Sequence, residues 1–413
     1  MFIVHSYSTC NKSLYSYKRV NQQLCLFCKV EQYHRIAIIG CGIAGVSLCY
    51  YLCRLSADLE KSCHITVFDP YRPGNGGASR VAAGLLHPFS PNSKLLWKGQ
   101  EAFSSATQLI RLVENELSSK LVQNNGIMRL ALTQKQHRRL QQASISLPHV
   151  VQLFEDKDLY HVLGWNSSAI SGLLLKDAYT IKTTEYLDGL WNLCMQFGIV
   201  EWRPETVTDL QTFKQTKEFE DVVICAGADT NFIEGLSEQV PITRSFGRNL
   251  YYRWNGTMTK ILKMPIICGK YLIPDESRML FTAGATFERE PGTSGQLSED
   301  SEIANIHSRL DKLVPGILNH AECIHIDGAF RALPERTQLG SIPIVDLAGK
   351  FKECNMWLYT GLGSRGILYH AWLSQQLAKA IVFNDANILP KQVRRYHPNL
   401  AELDRTCKEY STI

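Results

Sequence analysis

From Ile36 to Cys53 the chain runs for 18 residues without a charge, "IAIIGCGIAGVSLCYYLC", flanked by Arg35 and Arg54. A run of that length stands at the threshold for spanning a bilayer. Its glycines offer a different construction. Gly40, Gly42 and Gly45 are spaced G-x-G-x-x-G, directly after the β-branched run "RIAII" and directly before the helix-compatible "VSLCYYLCRL". Strand, tight turn and helix in that order form the first half of a dinucleotide-binding βαβ unit. The first glycine turns the chain, the second admits a pyrophosphate and the third lets helix pack on strand, with the helix amino terminus facing the phosphates. The second half is present independently. After the polar break "SADLEKS" comes "CHITVFDP", a strand ending in Asp69, 24 residues beyond Gly45, where such units place an acid on a ribose hydroxyl.

The chain has 413 residues, enough for two domains, and its 13 cysteines without a secretory-type leader fit a reducing compartment. One CxxC, Cys25 and Cys28, has no second pair or histidine cluster near it, and no metal set is read from the sequence. Residues 1–34 carry Lys12, Lys18, Arg19 and Lys29 against Glu31, a net of +3, and are rich in Ser, Tyr, Asn and Gln. That composition fits an organelle transit peptide, a plastid ahead of a mitochondrion, with a disordered cytosolic extension as the alternative. Of the chain's +5, only +2 remains for the rest, which is no nucleic-acid footprint.

Beyond Asp69, "PYRPGNGGASRVAAGLLHPFSPN" is dense in small residues that allow close approach of a planar ligand, with Ser79 and loop amides available to phosphate. A helix is expected over about Lys94–Leu121, and another from Thr183 with Thr184 as a candidate cap. "FEDVVICAGADT" reads as a buried parallel strand that meets a ligand at Ala226 and Gly227. From Val240 to Phe287 the pattern changes to alternation, as in "RNLYYRW" and "RMLFTAGATF", the mark of antiparallel strands. Near the end, "MWLYTGLGSRGILYHAWLSQQLAKAI" is a strand, a glycine-rich turn and a helix. The fold class is therefore α/β: a discontinuous Rossmann-like domain over 35–115, 170–235 and 325–385, with an inserted antiparallel α+β domain over 116–169 and 236–324. Residues 386–413 are expected to form a peripheral tail.

These blocks, in this order, resemble the D-amino-acid-oxidase-like family of FAD-dependent oxidoreductases, of glycine oxidase and sarcosine oxidase type. The terminal motif is similar to the oxidoreductase half of the bifunctional tRNA methylaminomethyl-uridine enzyme. The resemblance spans Arg35–Phe383 and rests on "IAIIGCGIAGVSLCYYL…ITVFDP", "GASRVAAGLLHP", "DVVICAGADT", and "FRALPERTQLGSIPIVD" followed by "TGLGSRGI". It implies FAD as cofactor. Gly40, Gly42, Gly45 and Asp69 would hold its ADP half, Val207 the adenine, and Ala78 and Ser79 the pyrophosphate and ribityl region. Ala83, Gly84 and Leu85 would line the isoalloxazine, and Gly363, Ser364 and Gly366, at a helix amino terminus, would face its pyrimidine edge.

The resemblance also places Arg331 as the clamp on a substrate carboxylate, Arg365 at the mouth of the same pocket, Tyr271 over the substrate, and His87 near the flavin as a candidate proton acceptor. The implied reaction oxidises a C–N bond of an amino acid or secondary amine to an imine, with oxygen as electron acceptor and no obligate general base. "HPFSPNSKLLWKG" and "RSFGRNLYYRW" depart from the family pattern, so the substrate is open. The alternatives are action on a tRNA-borne amine, a NAD-binding oxidoreductase sharing only the fingerprint, and a flavin-binding scaffold without turnover.

Overall fold

The part of the first strand inside the uncharged run is apolar throughout because it is covered on both faces. The computed structural model describes residues 33–216, 218–255, 262–288, 299–351 and 354–396. In it, His34–Ile39 lies inside a six-stranded sheet, parallel to Cys63–Phe68 on one side and to Asp221–Ile224 on the other. Ile36, Ala37 and Ile38 are fully buried, the condition under which a parallel strand loses its alternation. Ile199–Arg203 extends one edge of this sheet and the hairpin of Ile344–Phe351 and Cys354–Thr360 the other. The helix Ile43–Asp58 leaves the glycine turn and packs on the helices Thr183–Phe197 and Gly366–Val382, with Val46, Leu48 and Leu52 fully buried. The uncharged run is thus a core strand and a core helix. Among the described residues no helix is long and apolar enough to cross a membrane.

The second sheet has nine strands. Along its path lie Ala321–Pro334, Ile242–Trp254, Leu280–Gly284, Lys270–Asp275, Ile266–Cys268, Val122–Ala131, Ser171–Ile181 and Leu85–Leu86, with Val151–Glu155 on the flank of Ser171–Ile181. The pairing is antiparallel except between Ile266–Cys268 and Val122–Ala131. Its core, built on Leu250, Leu272, Phe281 and Met128, is separate from that of the first sheet.

Pairing redraws the expected division in three places, one of them Leu85–Leu86, expected within 35–115 but paired with Ser171–Ile181. Ser171–Ile181 and most of Ala321–Pro334 were expected within the cofactor segments 170–235 and 325–385, yet both hydrogen-bond into the nine-stranded sheet. Their partners, Val122–Ala131 and Ile242–Trp254, are distant in sequence, so local pattern does not reveal the allegiance. The expected helix Lys94–Leu121 is shorter, Gly99–Leu117, because Lys98 and Ser118 turn left-handed at its two ends. Thr184 does not cap the next helix, which already contains Thr183, whose hydroxyl donates to the Ala82 carbonyl at 3.3 Å. The tail is peripheral only in part: Val393 and Tyr396 are buried, and the Tyr396 hydroxyl donates to the Glu238 carbonyl at 3.0 Å. Residues 1–32, with Cys25 and Cys28, and residues 397–413 lie outside the described residues.

The six-stranded sheet is tied at one end by Asp221, 2% exposed, whose carboxylate accepts from His34 Nε2 at 2.6 Å, Trp357 Nε1 at 2.6 Å and Asn355 Nδ2 at 3.1 Å. Burial alone would lower the His34 pKa, but the Asp221 hydrogen bond and charge, with Glu220, raise it above the ordinary value. A raised folded pKa contributes stability that is complete below the unfolded value of about 6.5 and is lost as pH rises through the folded one. The wild-type melting temperature is therefore expected to fall more than that of His34→Gln between about pH 5.5 and about pH 8.5. Parallel curves would show that the pair contributes nothing.

Candidate functional site

The glycine turn is a place where side chains do not fit. Gly40 has φ +96°, and a Cβ there would lie 2.6 Å from the Cys225 carbonyl oxygen; a Cβ on Gly45 would lie 2.1 Å from the Gly40 carbonyl oxygen. A Cβ on Gly42 would meet Ser79 Oγ at 2.9 Å. The turn is held by two side chains: Asp69 accepts from Cys41 N at 2.7 Å and from Tyr71 N at 2.8 Å, and Ser79 Oγ accepts from Ile43 N at 2.9 Å. Burial pushes the Asp69 carboxyl up while these two amides pull it down.

All but one of the expected cofactor residues line a single cavity of about 1470 Å³. Gly45 is the exception, standing behind the wall where helix meets strand. The volume exceeds the roughly 300–1,000 Å³ of common small-ligand pockets, leaving room for a dinucleotide and a substrate together. Val207 lies on the wall with Thr206 and Thr208. Gly84, at φ +79°, runs so close to the neighbouring strand that a Cβ would sit 2.1 Å from the Ile181 carbonyl oxygen, which brings Ala83 and Leu85 to the cavity. Ala226 and Gly227 follow the strand Asp221–Ile224 and line the cavity. The Gly227 carbonyl accepts from the Thr230 and Thr360 hydroxyls at 2.8 and 2.9 Å. Gly363, at φ +53°, donates its N–H to the Ala332 carbonyl at 2.8 Å and so delivers Ser364, Arg365 and the amino terminus of Gly366–Val382 to the cavity. An unhindered backbone, a bound hydroxyl and a helix terminus around one chamber fit an FAD, whose phosphate and ribose groups Gly40, Gly42, Asp69 and Ser79 would hold.

The other wall comes from the nine-stranded sheet. Tyr271 donates to Asn249 Oδ1 at 2.6 Å, and Asn249 Nδ2 donates to the Val81 carbonyl at 2.7 Å. Arg331 extends over Gly247, whose missing Cβ would lie 2.7 Å from Arg331 Nη2; that nitrogen donates to the Thr286 carbonyl at 3.2 Å, and the buried Nε has no partner. Burial lowers the Arg331 pKa, partly offset by Tyr271. Arg365 Nη1 donates to the Phe89 carbonyl at 3.0 Å, and Lys270 Nζ to the Ala285 carbonyl at 2.8 Å.

His87 lines the cavity, but its bonding corrects the expectation of a proton acceptor. Nδ1 accepts from Phe89 N at 3.3 Å, so the neutral ring carries its hydrogen on Nε2. Burial first, then the charges of Arg129 and Arg365, hold its pKa well below the usual value. In this arrangement its Nδ1 is an acceptor already engaged by the loop's own amide. Arg129 is the residue that sequence reading missed. It stands 7% exposed in "IMRLA" between the buried Met128 and Leu130, and it too lines the cavity. A lone charge in an apolar strand is the signal that could have found it. Among the described residues no group of three or more His, Cys, Asp and Glu is arranged to hold a metal ion.

The family FAD dependent oxidoreductase matches residues 35–380. The chain belongs to that family, and membership implies FAD as the cofactor. It is 23% identical over 410 residues to the tRNA 5-methylaminomethyl-2-thiouridine biosynthesis bifunctional protein MnmC of Hydrogenovibrio crunogenus, covering 87% of this chain and 57% of that one, so it spans little more than half of that relative's length. Two solved structures share the fold. One is iminodiacetate oxidase from Chelativorans sp. BNC1, with TM-score 0.71, 15% identity, and 88% of this chain and 100% of that one covered. The other is glycine oxidase from Geobacillus kaustophilus, with TM-score 0.69, 18% identity, and 88% and 99% covered.

Asp69→Asn keeps the shape of the side chain and removes its charge. FAD affinity, measured by fluorescence titration of the stripped protein, is expected to fall about tenfold or more, the scale of one charge-assisted hydrogen bond. Unchanged affinity would remove Asp69 from the cofactor site.

Proposed function

We propose that this chain oxidises the C–N bond of an amino acid or carboxylate-bearing secondary amine to an imine, with oxygen as the final electron acceptor. The observation that carries this reading is Arg331, a guanidinium on the cavity wall that donates to the Thr286 carbonyl, with an unpartnered Nε and no carboxylate partner among the described residues. A planar fork with donors to spare suits bidentate binding of a carboxylate.

When bound, FAD supplies acceptance of a hydride from the carbon of the C–N bond, leaving an imine that water hydrolyses. The chain's residues bind and orient. Arg331 holds the substrate carboxylate, and Tyr271, fixed by Asn249, covers one side of the same space. The neutral His87 holds its proton on Nε2 and keeps the loop at Phe89 in place. Fixing the reacting carbon in this way is worth several kcal/mol of barrier, about 7 at the lower end of well-oriented systems. The names of the two structural neighbours, an iminodiacetate oxidase and a glycine oxidase, support a small amine carrying a carboxylate.

A second reading, action on an amine carried by tRNA, is favoured by the name of the MnmC relative. The near-neutral charge of residues 35–413 weighs against it. Import into a plastid remains a proposal drawn from the composition of residues 1–34 alone.

Arg331→Ala is expected to retain its flavin spectrum while the rate of anaerobic bleaching by small carboxylate-bearing amines falls about 100-fold, the loss of a buried charge-assisted bidentate contact. Arg331→Lys should recover part of that loss. Bleaching at the wild-type rate in Arg331→Ala would remove the clamp, and a flavin that no amine bleaches would favour a scaffold.

A further inference from the structure

Arg129 is buried for a reason that the reaction as described does not use. It sits on Val122–Ala131 with Nη1 donating to the Ser90 carbonyl and, at 2.9 Å, to Ser93 Oγ, both neutral acceptors. Arg365 approaches the same segment from the C-terminal helix and donates to the carbonyl of Phe89. Two guanidiniums therefore converge on the Phe89–Ser93 loop at the edge of the cavity they both line. Burial, then the charge of Arg365, holds the Arg129 pKa down to about 10.

No carboxylate among the described residues pairs with either of them, whereas two other arginines of the cavity are paired, Arg244 with Asp229 and Arg80 with Asp327. A buried uncompensated charge is costly, and the half-buried Arg365 beside it adds to that cost, so the arrangement is complete only when an anion joins it. His87, held neutral against both, cannot be that anion.

Strand register separates this pair from Arg331. Arg129 is opposite Ile267, Ile267 opposite Tyr271, Tyr271 opposite Gly284, and Gly284 opposite Asn249. Residues opposite one another share a face, so Arg129 and Tyr271 stand on the same face two strands apart, roughly 10 Å between backbones. Arg331 pairs with Ser245, four residues from Asn249 on the same strand and hence also on this face, on the far side of Tyr271. The phosphate-binding turn with Ser79 belongs to the other sheet, so the cofactor's phosphates do not supply the missing charge.

We propose that Arg129 and Arg365 form a second anion subsite and that the substrate is an amine bearing two carboxylates, one on Arg331 and one on this pair. The inference rests on the reading of Arg331 as the first carboxylate site, and it names the substrate class of the same chamber.

The test separates binding from turnover. Calorimetric titration of the FAD-loaded enzyme with thiodiacetate and with (methylthio)acetate compares a diacid with a monoacid, neither of which has an amine to oxidise. The diacid is expected to bind about tenfold tighter or more, the scale of one added charge-assisted contact. That advantage should vanish in Arg129→Gln and in Arg365→Gln, and return in part in Arg129→Lys. Circular dichroism and the flavin spectrum identify a variant that has failed to fold, and the second variant then carries the comparison. A diacid with no advantage, or one whose advantage survives both glutamine variants, overturns the subsite. In parallel, flavin bleaching by iminodiacetate, sarcosine and N-(phosphonomethyl)glycine reads turnover. Iminodiacetate is expected to be fastest, and preference for the phosphonate would overturn the second carboxylate. Tighter diacid binding without bleaching by any amine would uphold the subsite and overturn the oxidation.

Discussion

The constraint on which the rest depends is the close approach of the glycine turn to the elements on either side of it. The space where a Cβ of Gly45 would stand is 2.1 Å from the Gly40 carbonyl oxygen, and a Cβ of Gly40 would be 2.6 Å from that of Cys225. Those absences let the helix Ile43–Asp58 start flush against its strand and let Asp221–Ile224 pair beside it. The rest follows mechanically. A helix so placed buries its apolar side on Gly366–Val382, which fixes where that helix begins, and its beginning carries Gly363, Ser364 and Arg365 into the cavity. One steric condition thereby positions both ends of the chamber.

The opposite wall obeys electrostatics more than sterics. Arg331 and Arg129 are held chiefly by neutral oxygens, the Thr286 carbonyl for one and the Ser90 carbonyl and Ser93 hydroxyl for the other. Neutral acceptors position a guanidinium without cancelling its charge, so the attraction for an incoming acid is preserved in a medium that screens it little. Burial, helped by the same field, keeps His87 neutral. On the proposed reading, a chamber of this kind selects anionic ligands before any reaction occurs and leaves the choice among them to the spacing of its cations.

Much of the cofactor side was legible from the chain alone, since backbone conformation is written locally. Gly40, Asp69 and the "TGLGSRGI" turn each mark positions where a side chain would collide or where a helix must begin. The substrate side was less legible. Arg129 reads as one charge in a strand, and nothing near it in sequence announces Arg365, 236 positions away, or the loop at Phe89 that both bind. The allegiance of Ser171–Ile181 to the second sheet was hidden for the same reason, because strand pairing is a relation between distant segments.

By itself the sequence determined the strand, turn and helix of the nucleotide unit and the alternation of the antiparallel strands. These depend on steric limits and periodicities acting within a few residues. Only the tertiary structure decided which strands share a sheet, that His87 is neutral with its Nδ1 accepting from Phe89, and that Arg129 and Arg365 face one cavity with no acid paired to them among the described residues. Register, burial and the field at a buried group are sums over neighbours that the chain brings together only on folding.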